Sequence, residues 1–382
     1  MDKNVYFASC SGYEQEEVVQ KIETLFSQLE VENMTGKKIL LKPNLLSKSS
    51  PEKAITTHPE VVRGVIIACK KRGATDIMIA DSAGGLYNPK QSKGLYQGCG
   101  IEKIALEEGV RLYTDCQWKD VPCTGEKVSG FKILEPVLEA DIFINLPKCK
   151  THSMMGMTAA CKNLFGCIPG LDKSQWHTRF PQKEDFGAML VDLFQLIPPS
   201  FSILDGILAM EGDGPGSGTP RSLGLLMASC DSLGLDLALA EMMGFPKIAY
   251  LEAAKKRGIC AEQFDPSLAQ GESALFAPIS HWVLPKSYEK GASSDTTFSQ
   301  FLPKAFRPLG KRIEASLAPR PVVLPSLCVG CKKCAEICSK DAIIFQGNQA
   351  KIKKKDCISC FCCHEVCPVK AIEIKTSKFF SH

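Results

Sequence analysis

The sequence predicts an α/β fold, a mainly parallel sheet flanked by helices, joined to a small and chemically separate C-terminal module. Short β-branched runs alternate with amphipathic helical stretches through roughly the first 250 residues, the pattern of crossover connections between parallel strands. Nine of the 19 cysteines then fall between Cys328 and His382, which sets that tail apart. Charge divides along the same line: the chain carries +4 overall, while the tail, with ten Lys and five acidic residues, carries +5.

The elements follow from periodicity and punctuation. Val5 to Ala8 reads as a strand, and Val18, Val19, Ile22, Leu25, Phe26 and Leu29 then recur at helical spacing. A strand at Lys38 to Leu41, a helix from Pro59 to Gly73 and a strand at Ile77 to Ala80 complete a β-α-β unit, with Pro opening the helix and Gly closing it. Further strands are expected at Val110 to Tyr113, Asp141 to Asn145, Phe201 to Leu204 and Leu223 to Ala228. Further helices are expected at Ile101 to Glu108, Glu184 to Leu196, Asp231 to Met243 and Lys247 to Arg257. The predicted units are an α/β domain over 1–259, a connector over 260–325 with one helix near Leu309 to Leu317, and the Cys-rich domain over 326–382.

Composition excludes several classes. At 382 residues with 45% hydrophobic content the chain has enough apolar material for a large core, so overall disorder is excluded. The most apolar long stretch, Leu223 to Phe245, contains Asp231, Asp236 and Glu241, which argues against a membrane span. The opening residues carry neither a basic leader nor a continuous apolar run, so a cytoplasmic location with reduced thiols is expected. The run Lys351, Lys353, Lys354 and Lys355, taken alone, suggests nucleic acid.

The tail is an internal repeat with a period of 29: Cys328, Cys331, Cys334, Cys338, Ala342 and Ile343 recur as Cys357, Cys360, Cys363, Cys367, Ala371 and Ile372. Each half carries C-x2-C-x2-C-x3-C, in which three thiolates wrap one cluster and the fourth is directed to the other. The expected ligand sets are Cys328, Cys331, Cys334 and Cys367 for one 4Fe-4S cluster, and Cys357, Cys360, Cys363 and Cys338 for the other. Zinc is the competitor, but three consecutive ligands with a crossed fourth are not a usual zinc-ribbon layout. The module resembles bacterial-type two-cluster ferredoxins, which implies a small α+β ferredoxin-like domain and electron transfer at low potential. Ser339 departs from the pattern set by Pro368, and Cys362 is a ninth thiol, read as a spare residue. Two oxidised clusters with their thiolates carry about −2 each, so the lysines compensate cluster charge first and offer a docking face second.

In open α/β sheets, ligands bind beyond the carboxyl ends of strands. The residues there are Lys42-Pro43-Asn44, Asp81 to Gly85, Pro147 to His152 and Asp205-Gly206. Lys42, Lys148 and Lys150, with Lys162, Asn163 and Asn44, make a candidate pocket for a phosphate or carboxylate. Asp81 and His152 are the candidate proton-transfer groups, and Asp205, Glu211 and Asp213 are further carboxylates able to orient lysines or hold a metal. The bland reading is that these are strand-end charges with solvated heads. Gly212 to Gly218 lacks dinucleotide spacing and reads as a turn or flap, and Gly166 to Ser174 lacks Walker spacing. Cys149, Cys161 and Cys167 read as buried thiols.

The stretches KPNLL (42–46), TTHPEVV (56–62), ADSAGG (80–85), NLPKCKTHSMMGMTAACKNLFGCIPG (145–170), WH (176–177) and LDGILAMEGDGPGSGTPR (204–221) resemble the prokaryotic family called domain of unknown function 362. That resemblance implies a fold and a fusion to a ferredoxin module, and no reaction. The leading functional expectation is an iron-sulfur oxidoreductase of an anaerobic or redox-active cell, exchanging electrons between a ferredoxin- or flavodoxin-type partner and a small anionic ligand. Two other classes stay open: a non-catalytic carrier docking on a partner enzyme, and a cluster-bearing regulator, maturation factor or nucleic-acid binder using the lysine run, with nucleic acid not the expected partner once cluster charge offsets those lysines.

Overall fold

A computed structural model describes residues 2–288, 307 and 318–375. Its centre is a 10-stranded sheet. The strands are β1 (Val5–Ser9), β2 (Lys38–Pro43), β3 (Asp76–Ile79), β4 (Arg111–Leu112), β7 (Ile142–Leu146), β8 (Lys148–His152), β9 (Gly156–Thr158), β10 (Phe201–Glu211), β11 (Thr219–Ser229) and β12 (Ala269–Gly271), with β5 (Trp118–Pro122) and β6 (Gly130–Leu134) forming a separate hairpin. The order is β12-β1-β11-β10-β7-β2-β3-β4, and β8 joins β10 and carries β9. Neighbours from β10 through β7, β2 and β3 to β4 are parallel, whereas β11 runs antiparallel to both β1 and β10.

Helices cover both faces because alternate strand residues point to opposite sides. In β2, Ile39 and Leu41 face a core built with Val18, Ile22 and Phe26 of α1 (Gln15–Gln28) and Val61, Val65 and Ile66 of α2 (Pro59–Lys71). Leu40 faces the other core. The helices α3 (Pro89–Gly98), α4 (Ile101–Glu107) and α5 (Glu135–Glu139) follow in the chain. Further on come α6 (Ala160–Asn163), α7 (Gly170–Arg179), α8 (Lys183–Leu196), α9 (Ser232–Met242) and α10 (Ala249–Lys256). The approach of α1 to α2 requires Gly64, where a Cβ would stand 2.6 Å from Ile22 Cδ1.

Several expected boundaries move, each for a physical reason. The strand expected to stop at Leu204 runs on as β10 to Glu211, because the Asp205 carboxylate is buried and paired instead of solvated. Lys148 to His152, expected as a loop past a strand, forms β8, and all five residues are buried. Gly212 to Gly218 is the turn joining β10 to β11. Residues 260–288 pack on the α/β body: β12 pairs with β1, and Ile279 N–H donates to Met242 O at 2.7 Å. The helix expected near Leu309 to Leu317 lies outside the described residues. Among the described residues, no helix is long and apolar enough to cross a membrane.

The tail pairs β13 (Arg320–Val323) with β16 (Ile372–Lys375), and β14 (Ile343–Gln346) with β15 (Gln349–Ile352) across the expected hairpin; α11 (Lys333–Glu336) and α12 (Cys362–Glu365) complete it. The 29-residue repeat holds at the level of dihedral angles. Gly330 and Ser359, Lys332 and Phe361, and Asp341 and Lys370 are three repeat-related pairs with positive φ.

This module sits on the carboxyl edge of the sheet. His364 bridges Ile372 O at 2.6 Å and Asp213 O at 3.0 Å, Lys370 Nζ donates to Gly218 O at 3.3 Å, and the Ser339 hydroxyl meets that of Thr178 on α7. The last contact gives a reason for Ser where the other half has Pro. Gly216 lies so close beneath α12 that a Cβ would be 2.7 Å from Glu365 O. Gly216→Val is therefore expected to weaken the docking by about 1–3 kcal/mol, since neither backbone has room to yield. Limited proteolysis checks this: the variant releases the module faster than wild type, and unchanged release refutes the tight contact.

Candidate functional site

A cavity of about 100 Å³ lies where the sheet edge, α6, α7 and the module meet. Its position follows from capping and pairing. Asp236 on α9 accepts from Ala160 N–H at 2.6 Å and Cys161 N–H at 2.9 Å, fixing the start of α6 and so the placement of Lys162 and Asn163. Asn163 Oδ1 accepts from Asn44 Nδ2 at 2.8 Å, and its Nδ2 donates to Asn145 Oδ1 at 2.8 Å. Lys42 Nζ reaches Asp81 at 2.8 Å, and the other Asp81 oxygen accepts from Leu45 N–H at 2.6 Å. Lys150 Nζ donates to Asn44 Oδ1 at 2.7 Å and to Ile55 O at 2.6 Å.

Of the expected residues, Asn44, Asp81, Lys150, His152, Lys162 and Asn163 line this cavity. Lys42 lies behind it, held by Asp81. Lys148 is elsewhere: it pairs with Asp205 at 2.7 Å, both side chains fully buried, and contacts Tyr13 Oη at 2.9 Å. Glu211 pairs with Arg221 and Asp213 with Lys286, so these carboxylates do not gather into one metal site. Cys149, Cys161 and Cys167 are buried; burial pushes the thiols of Cys149 and Cys167 up to about 12, and that of Cys161 well upward too, which keeps them protonated.

The cavity also takes residues that carry little signal in the sequence. Lys173 and His177 come from α7 at i,i+4 spacing; Lys173 falls in the Gly166 to Ser174 run and His177 in the WH stretch, but neither pattern marks them as cavity residues. Lys173 Nζ donates to Ser82 O, while His177 stacks on Phe186 with ring centroids 4.4 Å apart and leaves Nδ1 without a partner among the described residues. Ile337, Cys362, Glu365 and Val366 enter from the module.

The electrostatics favour an anion. Burial lowers Lys150 and Lys173 to about 7, the Lys162 charge adding to the effect at both. Burial also lowers Lys162, whose ammonium has no hydrogen bond or ion pair among the described residues and lies 5.6 Å from the Phe165 ring centre. An anion would satisfy such amines. Burial drives His152 well below its ordinary value, so the ring is neutral; Nδ1 accepts from Met154 N–H at 3.1 Å, leaving the proton on Nε2, 3.3 Å from Glu365.

The module holds two further cavities. One is lined by Cys328, Cys331, Cys334 and Cys367, the other by Cys338, Cys357, Cys360 and Cys363, together with Cys362. These are the crossed sets. A single zinc would draw four sulfurs to about 2.3 Å around one point, whereas these thiols surround a space, which fits a multi-atom iron-sulfur group. Backbone N–H groups approach the sulfurs in repeat-related fashion: Ala342 to Cys338 at 3.3 Å and Ala371 to Cys367 at 3.2 Å. Such bonds stabilise thiolate charge and tune potential.

Fold and cysteine sites together define an iron-sulfur electron-transfer protein whose cluster-binding module rests on an α/β sheet. A family model described as a domain of unknown function (DUF362) matches residues 39–241, and one described as a 4Fe-4S dicluster domain matches residues 320–368. The chain belongs to the DUF362 family. It is 32% identical over 300 residues to the thylakoid-associated protein sll1697 of Synechocystis sp., covering 75% of this chain and 89% of that protein. A 48-residue segment is 42% identical to a component of the ion-translocating oxidoreductase complex of Methanosarcina acetivorans, 13% of this chain and 18% of that component. Among solved structures, the lactate racemase apoprotein of Thermoanaerobacterium thermosaccharolyticum aligns with a TM-score of 0.37 and 14% identity, covering 64% of this chain and 58% of that one. A Thermotoga maritima protein gives the same TM-score at 12% identity, with 66% and 61% covered.

Proposed function

We propose that the protein is an oxidoreductase in which two 4Fe-4S clusters, on the crossed cysteine sets, exchange electrons with a small anion in the sheet-edge cavity. One observation carries the reading: Cys362 lies in the wall of both that cavity and the second cysteine cavity, so the two cavities adjoin through this side chain. When bound, the clusters supply electrons one at a time. The chain's own residues do the rest. Lys150, Lys162 and Lys173 bind the anion, Asn44 and Asn163 orient Lys150 and Lys42, and His152 Nε2–H or Asp81 moves a proton at the ligand. The ten cysteines outside the tail are all free, in keeping with a reducing compartment such as the cytoplasm.

The test is anion affinity of the anaerobically purified holoprotein, with sulfate as probe because its charge is constant near neutrality. A lysine with a lowered value is charged below it and neutral above, so sulfate binding is expected to weaken as pH rises through about 7. Lys162→Ala should reduce affinity about tenfold or more, the worth of one charge-assisted hydrogen bond. Affinity indifferent to both changes sinks the cavity reading, and tight co-purification with one partner enzyme would then favour a non-catalytic carrier.

A further inference from the structure

The two cysteine cavities differ in what surrounds them. The second is turned inward: Ser339 in its lining contacts Thr178 of α7, and the buried Cys362 abuts the edge cavity. The first is turned outward. Cys331 is exposed, and so are Leu327, Val329 and Val369, at 47%, 56% and 38%. Among the described residues these are three of ten exposed large apolar side chains, and Val329 and Val369 themselves line the first cavity. Isolated exposed apolar residues need no explanation, but a group of them around one redox site does.

Charge adds the second half of the pattern. Lys332 and Lys333 directly follow Cys331, both are exposed, and neither forms an ion pair among the described residues; Lys332 also lines the cavity. Lys370, by contrast, is engaged by the carbonyls of Ser217 and Gly218. An apolar centre with unpaired lysines beside it is the surface expected of a transient contact, where charge steers the encounter and a small dry patch holds it briefly.

We propose that this rim docks a small acidic one-electron carrier protein, and that it makes the first cluster the port and the second cluster the one that serves the edge cavity. The proposal rests on the two-cluster reading above. Cys328, Cys331, Cys334 and Cys367 would hold the group that takes one electron from the reduced carrier in each visit, and Cys338, Cys357, Cys360 and Cys363 the group to which that electron would pass, with no bond formed or broken in the module.

The experiment titrates the anaerobic holoprotein with an acidic flavodoxin, following flavin fluorescence, at low salt and at about 0.5 M salt, where exposed charges are screened. Lys332→Glu/Lys333→Glu is expected to weaken binding about tenfold or more at low salt, with the difference collapsing at high salt. Val329→Ser should weaken it at both salt concentrations. Lys37→Glu/Lys38→Glu, at the amino end of β2 and away from the edge cavity, should change nothing. Iron content and electron paramagnetic resonance are recorded for every variant, and Lys333→Glu alone replaces the double variant if that one loses its cluster. Rim variants that bind like wild type with clusters intact overturn the docking proposal and leave the two-cluster reading standing. Wild-type protein that binds no iron removes both.

Discussion

Cys367→Ala is expected to abolish the cluster of the first half, and Cys338→Ala that of the second, although each cysteine lies in the sequence run of the other. The cavities carry this expectation, because Cys367 lines the space bounded by Cys328, Cys331 and Cys334, and Cys338 that bounded by Cys357, Cys360 and Cys363. Iron and acid-labile sulfide should each fall from roughly eight to roughly four per chain in either variant. The resonance spectrum of reduced Cys367→Ala should match that of Cys328→Ala, and the spectrum of Cys338→Ala that of Cys357→Ala. The opposite pairing of spectra would mean that each run closes on its own cluster. Loss of both clusters together would disable the module altogether, since its apolar core is a small cluster of Ile343, Ala350 and Ile372 rimmed by Val323, Ala335, Phe345 and Ile352, with cysteines throughout. A module this small draws its folding energy from the group it binds.

Asp205→Ala should be the most destabilising single change in the α/β domain. It strands Lys148 in a site with no exposure, and removing one partner of a buried ion pair costs about 3–5 kcal/mol. The same change removes the acceptor for Tyr13 Oη–H at 2.9 Å and for His58 N–H at 2.8 Å. Urea denaturation measures the loss. Lys148→Met/Asp205→Leu should recover part of it, because two apolar residues leave no unpaired charge. A single variant within about 1 kcal/mol of wild type would place solvent at this pair and return Lys148 to the candidates for ligand binding.

Most of the sheet is legible because its strands are short apolar runs bounded by ordinary punctuation, as at Val5–Ser9, Lys38–Pro43 and Ile142–Leu146. The α3 helix is not, although Asn88 caps it through Gln91 N–H at 2.9 Å and Pro89 opens it, because Lys90, Gln91 and Lys93 leave too weak an apolar stripe. The β8 strand defeats the usual rule for the reverse reason. Lys148, Lys150, Thr151 and His152 are polar yet buried, which only tertiary partners such as Asp205 and Asn44 make tolerable. At the site, the strand-end residues Asn44 and Asp81 are accessible to a general rule for α/β sheets. The far wall is not, since Lys173, His177 and Glu365 meet the others only through chain crossings that no local pattern encodes.

The seating of α12 over the sheet edge has an electrical consequence. Desolvation is the main cause of the lowered values at Lys150 and Lys162, and Glu365 of the module opposes it at both amines while helping to enclose the cavity. The module thus acts as an insulator: it helps set the dielectric in which the amines titrate. On the proposed function it would also supply the electrons to that small volume, so a mutation that loosens its seating is expected to shift proton affinity and electron supply together.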